Sequence, residues 1–384
     1  MNQKSRRNII VFLTKRKVFT GIMAGVLALA LAGCGAKAPA ADTSKTPSEQ
    51  PKAVVNEPSS KSVSLTGAGS SFVNPLMTQM VDKYHSKYSQ LQVNYQSVGS
   101  GAGIKQISEQ TIDFGATDGP MTDDQLSKAK GGKILQIPLS LGAVAVVYNL
   151  PNGPQELKMS SANLADIFLG KITKWNDPKI AADNSGVTLP DSAITVAHRS
   201  DGSGTSFIFT DYLSEVSADW KSKVGKGTSL NWPVGVGGKG NEGVAGVVKQ
   251  TPGSIGYVEL AYALQNKISY VTMMNKDGKW VLPSAKGASA AAAAAKIPDD
   301  MRVSIVNAPG ADAYPIAGFV WGLVYQQQTD KDKGLGLVNF MEWAIHEGQD
   351  LGEPLHYAKL PDNLVTRIEA MLKSITFEGQ ALLK

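Results

Sequence analysis

One cysteine, Cys34, stands in a chain of 384 residues, so no internal disulfide can form and the fold must hold by packing alone. Histidine is nearly as scarce. His85, His198, His346 and His356 show no zinc-ligand spacing, and no metal is expected. The apolar run at residues 18–32 has only 15 residues, short of the roughly 20 that a membrane helix needs. A broad positive surface is missing too. The formal net charge is +5, but Lys4, Arg6, Arg7, Lys15, Arg16 and Lys17 all lie in the first 33 residues, which hold no acid. The remainder is nearly neutral, which removes the phosphate-tracking footprint of a nucleic-acid binder.

Those basic residues belong with the apolar run that follows them, and the order matches the n- and h-regions of a secretory signal. The run ends in LAGC, residues 31–34. It resembles the bacterial lipoprotein signal, whose small residues admit a peptidase and whose cysteine is lipidated and becomes the new N-terminus. The resemblance implies a signal peptide at 1–33 and a lipid on Cys34, and so accounts for a lone thiol in an exported protein. Residues 34–62 are rich in Ala, Pro, Ser and Lys without apolar periodicity, which reads as a flexible tether. The working part is expected to begin near Val63, held at a membrane surface and facing the periplasm or cell exterior.

From there short strand patterns alternate with helical ones, which argues for an α/β fold. Val63 and Leu65 alternate, a glycine turn follows, and Pro75 opens a helix in which Leu76, Met77, Met80, Val81, Tyr84 and Tyr88 recur at three- and four-residue spacing. Leu91, Val93 and Tyr95 repeat the alternation, break at Gly99 to Gly103, and give way to Ile104 and Ile107 on a helical spacing. A third unit runs AITVAH, RSDGSG, TSFIFTDYL. Such turns collect at the carboxyl ends of strands, where open α/β sheets bind ligands, so three of them could close on one small anion.

The third turn carries the most chemistry. AHRSDGSGTSF, residues 197–207, sets an arginine, an aspartate and four hydroxyl residues around two glycines. Backbone N–H groups, hydroxyls and a helix start all favour an anion. The aspartate opposes it, unless it holds the arginine or the anion still has a proton to give.

Enzyme readings of these turns fail on their own motifs. A phosphate-cradling P-loop around Gly238 and Lys239 needs a glycine where Pro233 stands. His198, Asp201 and Ser203 include the residue types of a serine hydrolase, but G-x-S-x-G needs glycine at Asp201, and residues so close in sequence do not line up as nucleophile, base and orienter. Elsewhere, the alanine tract within residues 287–300 reads as a surface helix or a variable loop, with Pro298 as its stop. Phe319, Trp321 and Tyr325 read as core.

Seven blocks occur in order: LTGAGSSF, NYQSVGSGAGIKQI, TIDFGATDGPMT, LGKITKWND, HRSDGSGTSFIFTDYL, WPVGVGGKGNEGVAGVV and GSIGYVELAYA. Together they resemble the substrate-binding proteins of bacterial phosphate ABC transporters, from about Val63 to the end. The resemblance implies a two-lobed periplasmic-binding-protein fold of the Venus-flytrap type II kind, each lobe a mixed sheet flanked by helices. It implies closure of a monomer on one inorganic phosphate without catalysis or cofactor, and delivery to a permease and ATPase complex. Projected here, lobe 1 is residues 63–146 and 317–384 and lobe 2 is 147–316, with VAVVYNL and IAGFVWGLVY as the crossovers.

The same resemblance places the site. Ser71, which stands where some relatives carry threonine, and Phe72 would offer hydroxyl and backbone donors, and Ser100 would donate from the second turn. Asp118 would accept. Arg199, Ser203, Gly204 and Thr205 would come from the opposite lobe, with Asp201 orienting the guanidinium. Phosphate near neutral pH keeps a P–OH that can donate to Asp118, whereas sulfate would set lone pairs against a carboxylate. A receptor for another tetrahedral oxyanion, such as sulfate or arsenate, and a secreted phosphatase are the rival readings.

Overall fold

Alternating apolar residues and glycine turns build a nine-stranded mixed sheet in the computed structural model, which describes residues 61–383 apart from 152 and 155. The signal segment, Cys34 and all but the last two residues of the tether lie outside the described residues. In chain order the strands are β1 (Val63–Gly69), β2 (Leu91–Ser97), β3 (Phe114–Thr117), β4 (Ile134–Asn149), β5 (Thr195–Arg199), β6 (Val236–Gly238), β7 (Ser254–Glu259), β8 (Ser269–Tyr270) and β9 (Ala317–Tyr325). Across the sheet the order is β2, β1, β3, β9, β4, β7, β5, β6, with β8 also on β4. Five helices matter below: α1 (Asn74–Lys87), α2 (Ser100–Ser108), α3 (Gly204–Val216), α4 (Gly240–Gln250) and α5 (Ala285–Ala293). Two more, α6 (Lys331–Ile345) and α7 (Asp362–Lys373), follow β9.

β4 organises the whole. Its 16 residues are buried up to Asn149, and such a near-continuous apolar run is what a strand covered on both faces requires. Residues 134–143 pair antiparallel with β9, and 144–149 pair antiparallel with β7. Parallel strands flank each part: β2, β1 and β3 on one side, β5 and β6 on the other. Pro138 sits inside this central strand because the ladder shifts there, opposite Val320 and Trp321; proline has no N–H to give and is tolerated at such irregularities. β9 runs beside residues 134–143 only, and the returning chain meets β4 at Ile316, whose carbonyl accepts from the Val144 N–H at 2.8 Å. The stretch IAGFVWGLVY therefore belongs to one half of the sheet apart from its first residue.

Both halves have aromatic cores. Tyr84 of α1 meets Phe340 and Trp343 of α6 edge-on, each at 5.2 Å between ring centres. In the other half Phe209 of α3 stacks on Tyr257 of β7 at 4.2 Å. Aromatic pairs of this kind contribute about 0.5–1.5 kcal/mol beyond area burial. Phe319, Trp321 and Tyr325 are buried, as read from the sequence. The alanine tract is a helix, but α5 starts earlier, at Ala285, and ends at Ala293, ahead of Pro298. It is a surface helix with one covered face: Lys286, Ser289 and Ala293 are exposed, whereas Ala288, Ala291 and Ala292 are buried where the helix packs on β4 and β9. Among the described residues no helix is long and apolar enough to cross a membrane.

Candidate functional site

Four strand-to-helix turns converge at one point, because parallel strands on both halves deliver their carboxyl ends toward β4. The turn after β1 brings Ser70, Ser71 and Phe72; the turn after β2 brings Ser100; the end of β3 brings Asp118; the turn after β5 brings Arg199 to Thr205; and the turn after β6 brings Gly240 and Asn241. Helices α1, α2 and α4 start here, and in none of them does the residue before the helix cap it with its side chain; the first two N–H groups of α4 go instead to Asp201 and Ser71. Helix starts carry partial positive charge, and three of them favour an anion between them.

Asp118 is 1% exposed. Its Oδ1 accepts from the Ser100 hydroxyl at 3.0 Å and its Oδ2 from the Thr205 hydroxyl at 3.0 Å. Burial pushes its carboxyl up from the usual range, against the pull of hydrogen bonds from Ser70, Ser100 and Thr205 and of the Arg199 charge. Gly204 makes this approach possible: a Cβ there would stand 2.5 Å from Asp118 Cγ and 2.7 Å from its backbone nitrogen.

Arg199 is 3% exposed. Its Nε and Nη2 donate to the two oxygens of Asp201 at 2.8 and 2.6 Å, a fork-to-carboxylate pair that fixes the guanidinium plane. Nη1 is buried and has no hydrogen-bond partner. A buried donor left so costs on the order of 1–3 kcal/mol, which marks it as a group awaiting an acceptor. Asp201 also accepts from the Gly240 N–H at 3.0 Å. Burial alone raises the Asp201 carboxyl, but the Arg199 guanidinium and the Gly240 N–H bring it below the usual value.

Ser203 caps α3, its hydroxyl oxygen accepting from the Ser206 N–H at 3.0 Å. The Ser71 hydroxyl accepts from the backbone and side-chain N–H groups of Asn241 at 3.2 and 3.0 Å. The Phe72 ring is in the core against Tyr357, and its carbonyl accepts from the Tyr357 hydroxyl at 2.6 Å. All of Ser71, Phe72, Ser100, Asp118, Arg199, Ser203, Gly204 and Thr205 are thus brought together, with Asp201 behind the arginine. His198 is not part of the cluster: its ring stacks on Trp232 at 4.9 Å.

Several participants escaped sequence reasoning. Asn241 is fully buried, donates to both Ser71 and Thr205, and accepts from the Glu259 N–H at 2.9 Å. It follows a glycine turn that fails as a P-loop and lacks the hydroxyl residues of the other three turns, although GGKGN likewise leads from a strand into a helix. Tyr257 holds the Arg199 N–H at 3.1 Å and pairs with the Ser206 hydroxyl. Glu259 and Tyr357 meet at 3.0 Å; burial drives the Glu259 carboxyl far above its usual range.

Contacts across the two halves are close. Thr205 reaches Asp118, Asn241 reaches Ser71, the Tyr262 hydroxyl donates to the Ser71 carbonyl at 2.7 Å, and the Gly101 N–H donates to the Gly202 carbonyl at 2.9 Å. These four direct contacts leave the two halves hydrogen-bonded to each other across the site, so this is a shut arrangement. A cavity of about 1000 Å³, lined by Leu135, Met301, Arg302, Arg367 and Met371, holds none of these groups.

A family model described as a PBP superfamily domain matches residues 39–347. The phosphate-binding protein PstS of Xylella fastidiosa is 48% identical over 349 residues, covering 89% of this chain and 94% of that one. The PstS of Haemophilus influenzae is 42% identical over 320 residues, covering 83% and 95%. Among solved structures, a periplasmic phosphate-binding protein, PfluDING, bound with phosphate, superposes with a TM-score of 0.65 at 19% identity over 80% of this chain and 93% of that one. A phosphate-binding protein from Stenotrophomonas maltophilia gives 0.63 at 18% over the same shares. At such identity the superpositions speak for the fold.

Proposed function

Since this chain belongs to the PstS family of phosphate-binding proteins, within the PBP superfamily, we propose that it captures inorganic phosphate outside the cytoplasmic membrane and hands it to the permease and ATPase of an ABC transporter. The observation that carries this reading is the setting of Asp118: a buried carboxylate that accepts from Ser100 and Thr205 and feels the charge of Arg199, whose buried Nη1 has no partner. A fully ionised oxyanion meets that carboxylate lone pair to lone pair. A monoprotonated phosphate gives its P–OH to Asp118 and takes donors from Ser203, Ser71, the backbone at Phe72 and Gly204, and Arg199, while the Ser100 and Thr205 hydroxyls turn their single hydrogens from Asp118 to the ligand. Charge-assisted bonds of this kind contribute roughly 1.5–3 kcal/mol each, enough together to offset dehydration of a small anion.

Binding also needs a way in. Residues 63–146 with 317–384, and residues 147–316, are assigned as two lobes that part and close about the crossing at Val144 and Ile316. Closure brings donors from both lobes onto one ligand. The roles assigned call for no nucleophile, base or cofactor, and the protein is assigned as a monomeric receptor without catalysis. Cys34 is assigned as the lipidated residue, with 34–62 as the tether.

Calorimetric titration of the mature protein with phosphate, sulfate and arsenate tests this reading. Phosphate is expected to bind tightly and sulfate weakly or not at all. Comparable binding of the two rejects the filter and favours a general oxyanion receptor; turnover of a chromogenic phosphate ester favours the phosphatase.

A further inference from the structure

His346 caps the C-terminal end of α6, one turn beyond Glu342, and Glu369 reaches the pair from α7. Their ligating atoms lie within 4.8 Å of one another. Nε2 of His346 stands 2.9 Å from Glu369 Oε1 and 3.3 Å from Glu342 Oε1, and the His346 and Glu342 side chains are 4% and 8% exposed. An imidazolium held between two carboxylates points its N–H at one of them. Here it does not: Nε2 has no hydrogen-bond partner despite those distances, so both oxygens lie off the N–H line, and Glu342 Oε2 is likewise buried without a partner.

Three lone pairs gathered edge to edge, rather than donor to acceptor, are the arrangement of ligands around a shared cation. For metal–ligand bonds of about 2.1 Å, neighbouring donors in octahedral or tetrahedral geometry stand roughly 3.0–3.4 Å apart, which is close to the two separations seen. One imidazole nitrogen among the donors disfavours Mg²⁺ and Ca²⁺, which take oxygen, and suits a borderline ion. Two carboxylates and a neutral imidazole balance a divalent charge. Lys373, at the end of α7, is the competing cation, since its charge already acts on Glu342.

We propose that Glu342, His346 and Glu369 form a binding site for a divalent first-row transition ion, Zn²⁺ first among them, that ties α7 to α6. Glu369 is 29% exposed, which gives the ion access and leaves a coordination position for water. The site shares no residue with the oxyanion cluster. Sequence reading passed it over because the search was for histidine and cysteine spacings, whereas the pattern is Glu-x-x-x-His on one helix face with a carboxylate from another helix.

The test is a titration of the full, chelator-treated chain with Co²⁺, followed by visible absorption, then displacement by Zn²⁺ and thermal unfolding with Zn²⁺ or Mg²⁺. One Co²⁺ per chain is expected, with d–d bands and no thiolate charge-transfer band, which separates the site from Cys34. Zn²⁺ should raise the unfolding temperature and Mg²⁺ should not. Glu369→Gln, at a partly exposed position, should lower metal affinity about 10- to 100-fold while leaving phosphate binding and metal-free unfolding as in the parent. Should His346→Ala fail to fold, the Glu369→Gln comparison still decides. No cobalt band in the parent, or equal binding by Glu369→Gln, overturns the proposal and leaves an imidazolium between two glutamates.

Discussion

The Thr205 hydroxyl donates to Asp118 Oδ2 at 3.0 Å across 87 residues of sequence and across the two halves of the sheet. One acidic group is therefore held from both sides, by Ser100 from its own half and by Thr205 from the other. Replacing it with the isosteric amide changes its chemistry while keeping its size. Asp118→Asn is expected to raise sulfate affinity more than it lowers phosphate affinity, because an amide can turn its NH₂ toward an unprotonated oxygen. Calorimetry with both anions checks this; an unchanged preference for phosphate removes Asp118 from selectivity.

Arg199 is expected to act without such discrimination. Arg199→Ala should weaken phosphate and arsenate alike by about ten- to a hundredfold, the loss of a charge-assisted bond. Asp201→Asn should cost less, since the cation remains and only its anchoring to the carboxylate and the Gly240 N–H is loosened. If Asp201→Asn proves the more damaging of the two, the orienting role is wrong.

Gly204→Ala tests closure separately from folding. Alanine is a good helix residue, so the start of α3 should form, but its Cβ would meet Asp118 at distances that force the two halves apart. The expected outcome is a folded protein, with circular dichroism unchanged, whose phosphate affinity falls by an order of magnitude or more. Small-angle scattering with saturating phosphate should then read a larger radius than the parent gives. Full affinity in this variant would mean that the shut geometry is not the binding one.

The Glu259 carboxyl predicts a pH slope. The Tyr357 hydroxyl has one hydrogen and lies between two acceptors, the Phe72 carbonyl at 2.6 Å and Glu259 Oε2 at 3.0 Å. A protonated Glu259 donating to Tyr357 satisfies both. Burial raises its folded value well above 4.5, its ordinary value. The sign follows: below the unfolded value both states hold the proton and stability is full. As pH rises from there only the unfolded state ionises, and stability falls until the folded group ionises too. Asp118, also raised, pulls the same way. Denaturant unfolding should lose stability as pH rises above the ordinary carboxyl range, and Glu259→Gln should flatten its share. A slope identical in the variant would assign the dependence elsewhere.

What could be read in the sequence was local. Strand, glycine turn and helix follow each other within some twenty residues at Leu65 to Tyr84, at Val93 to Ile107 and at Val196 to Tyr212, so periodicity and turn chemistry sufficed. Arg199 and Asp201, two residues apart, were legible as a pair for the same reason. Asn241 was not, because its partners Ser71 and Thr205 are 170 and 36 residues away and its turn carries no hydroxyl residue to mark it. Glu259 and Tyr357 are 98 residues apart, and no spacing rule joins them. The alanine tract resisted for a different reason: methyl groups carry no polarity pattern, and only the strands beneath α5 reveal which face is covered.

β4 serves two masters along one length of chain, with residues 134–143 hydrogen-bonded to β9 and 144–149 to β7. Sever the polypeptide at that ribbon and each fragment keeps a bare, sticky flank of unpaired amides, the kind of surface that recruits other molecules into aggregates. Neither portion is therefore a sensible candidate for independent expression. Engineers wishing to graft a reporter onto this receptor should leave that seam alone and choose exposed loop tips instead.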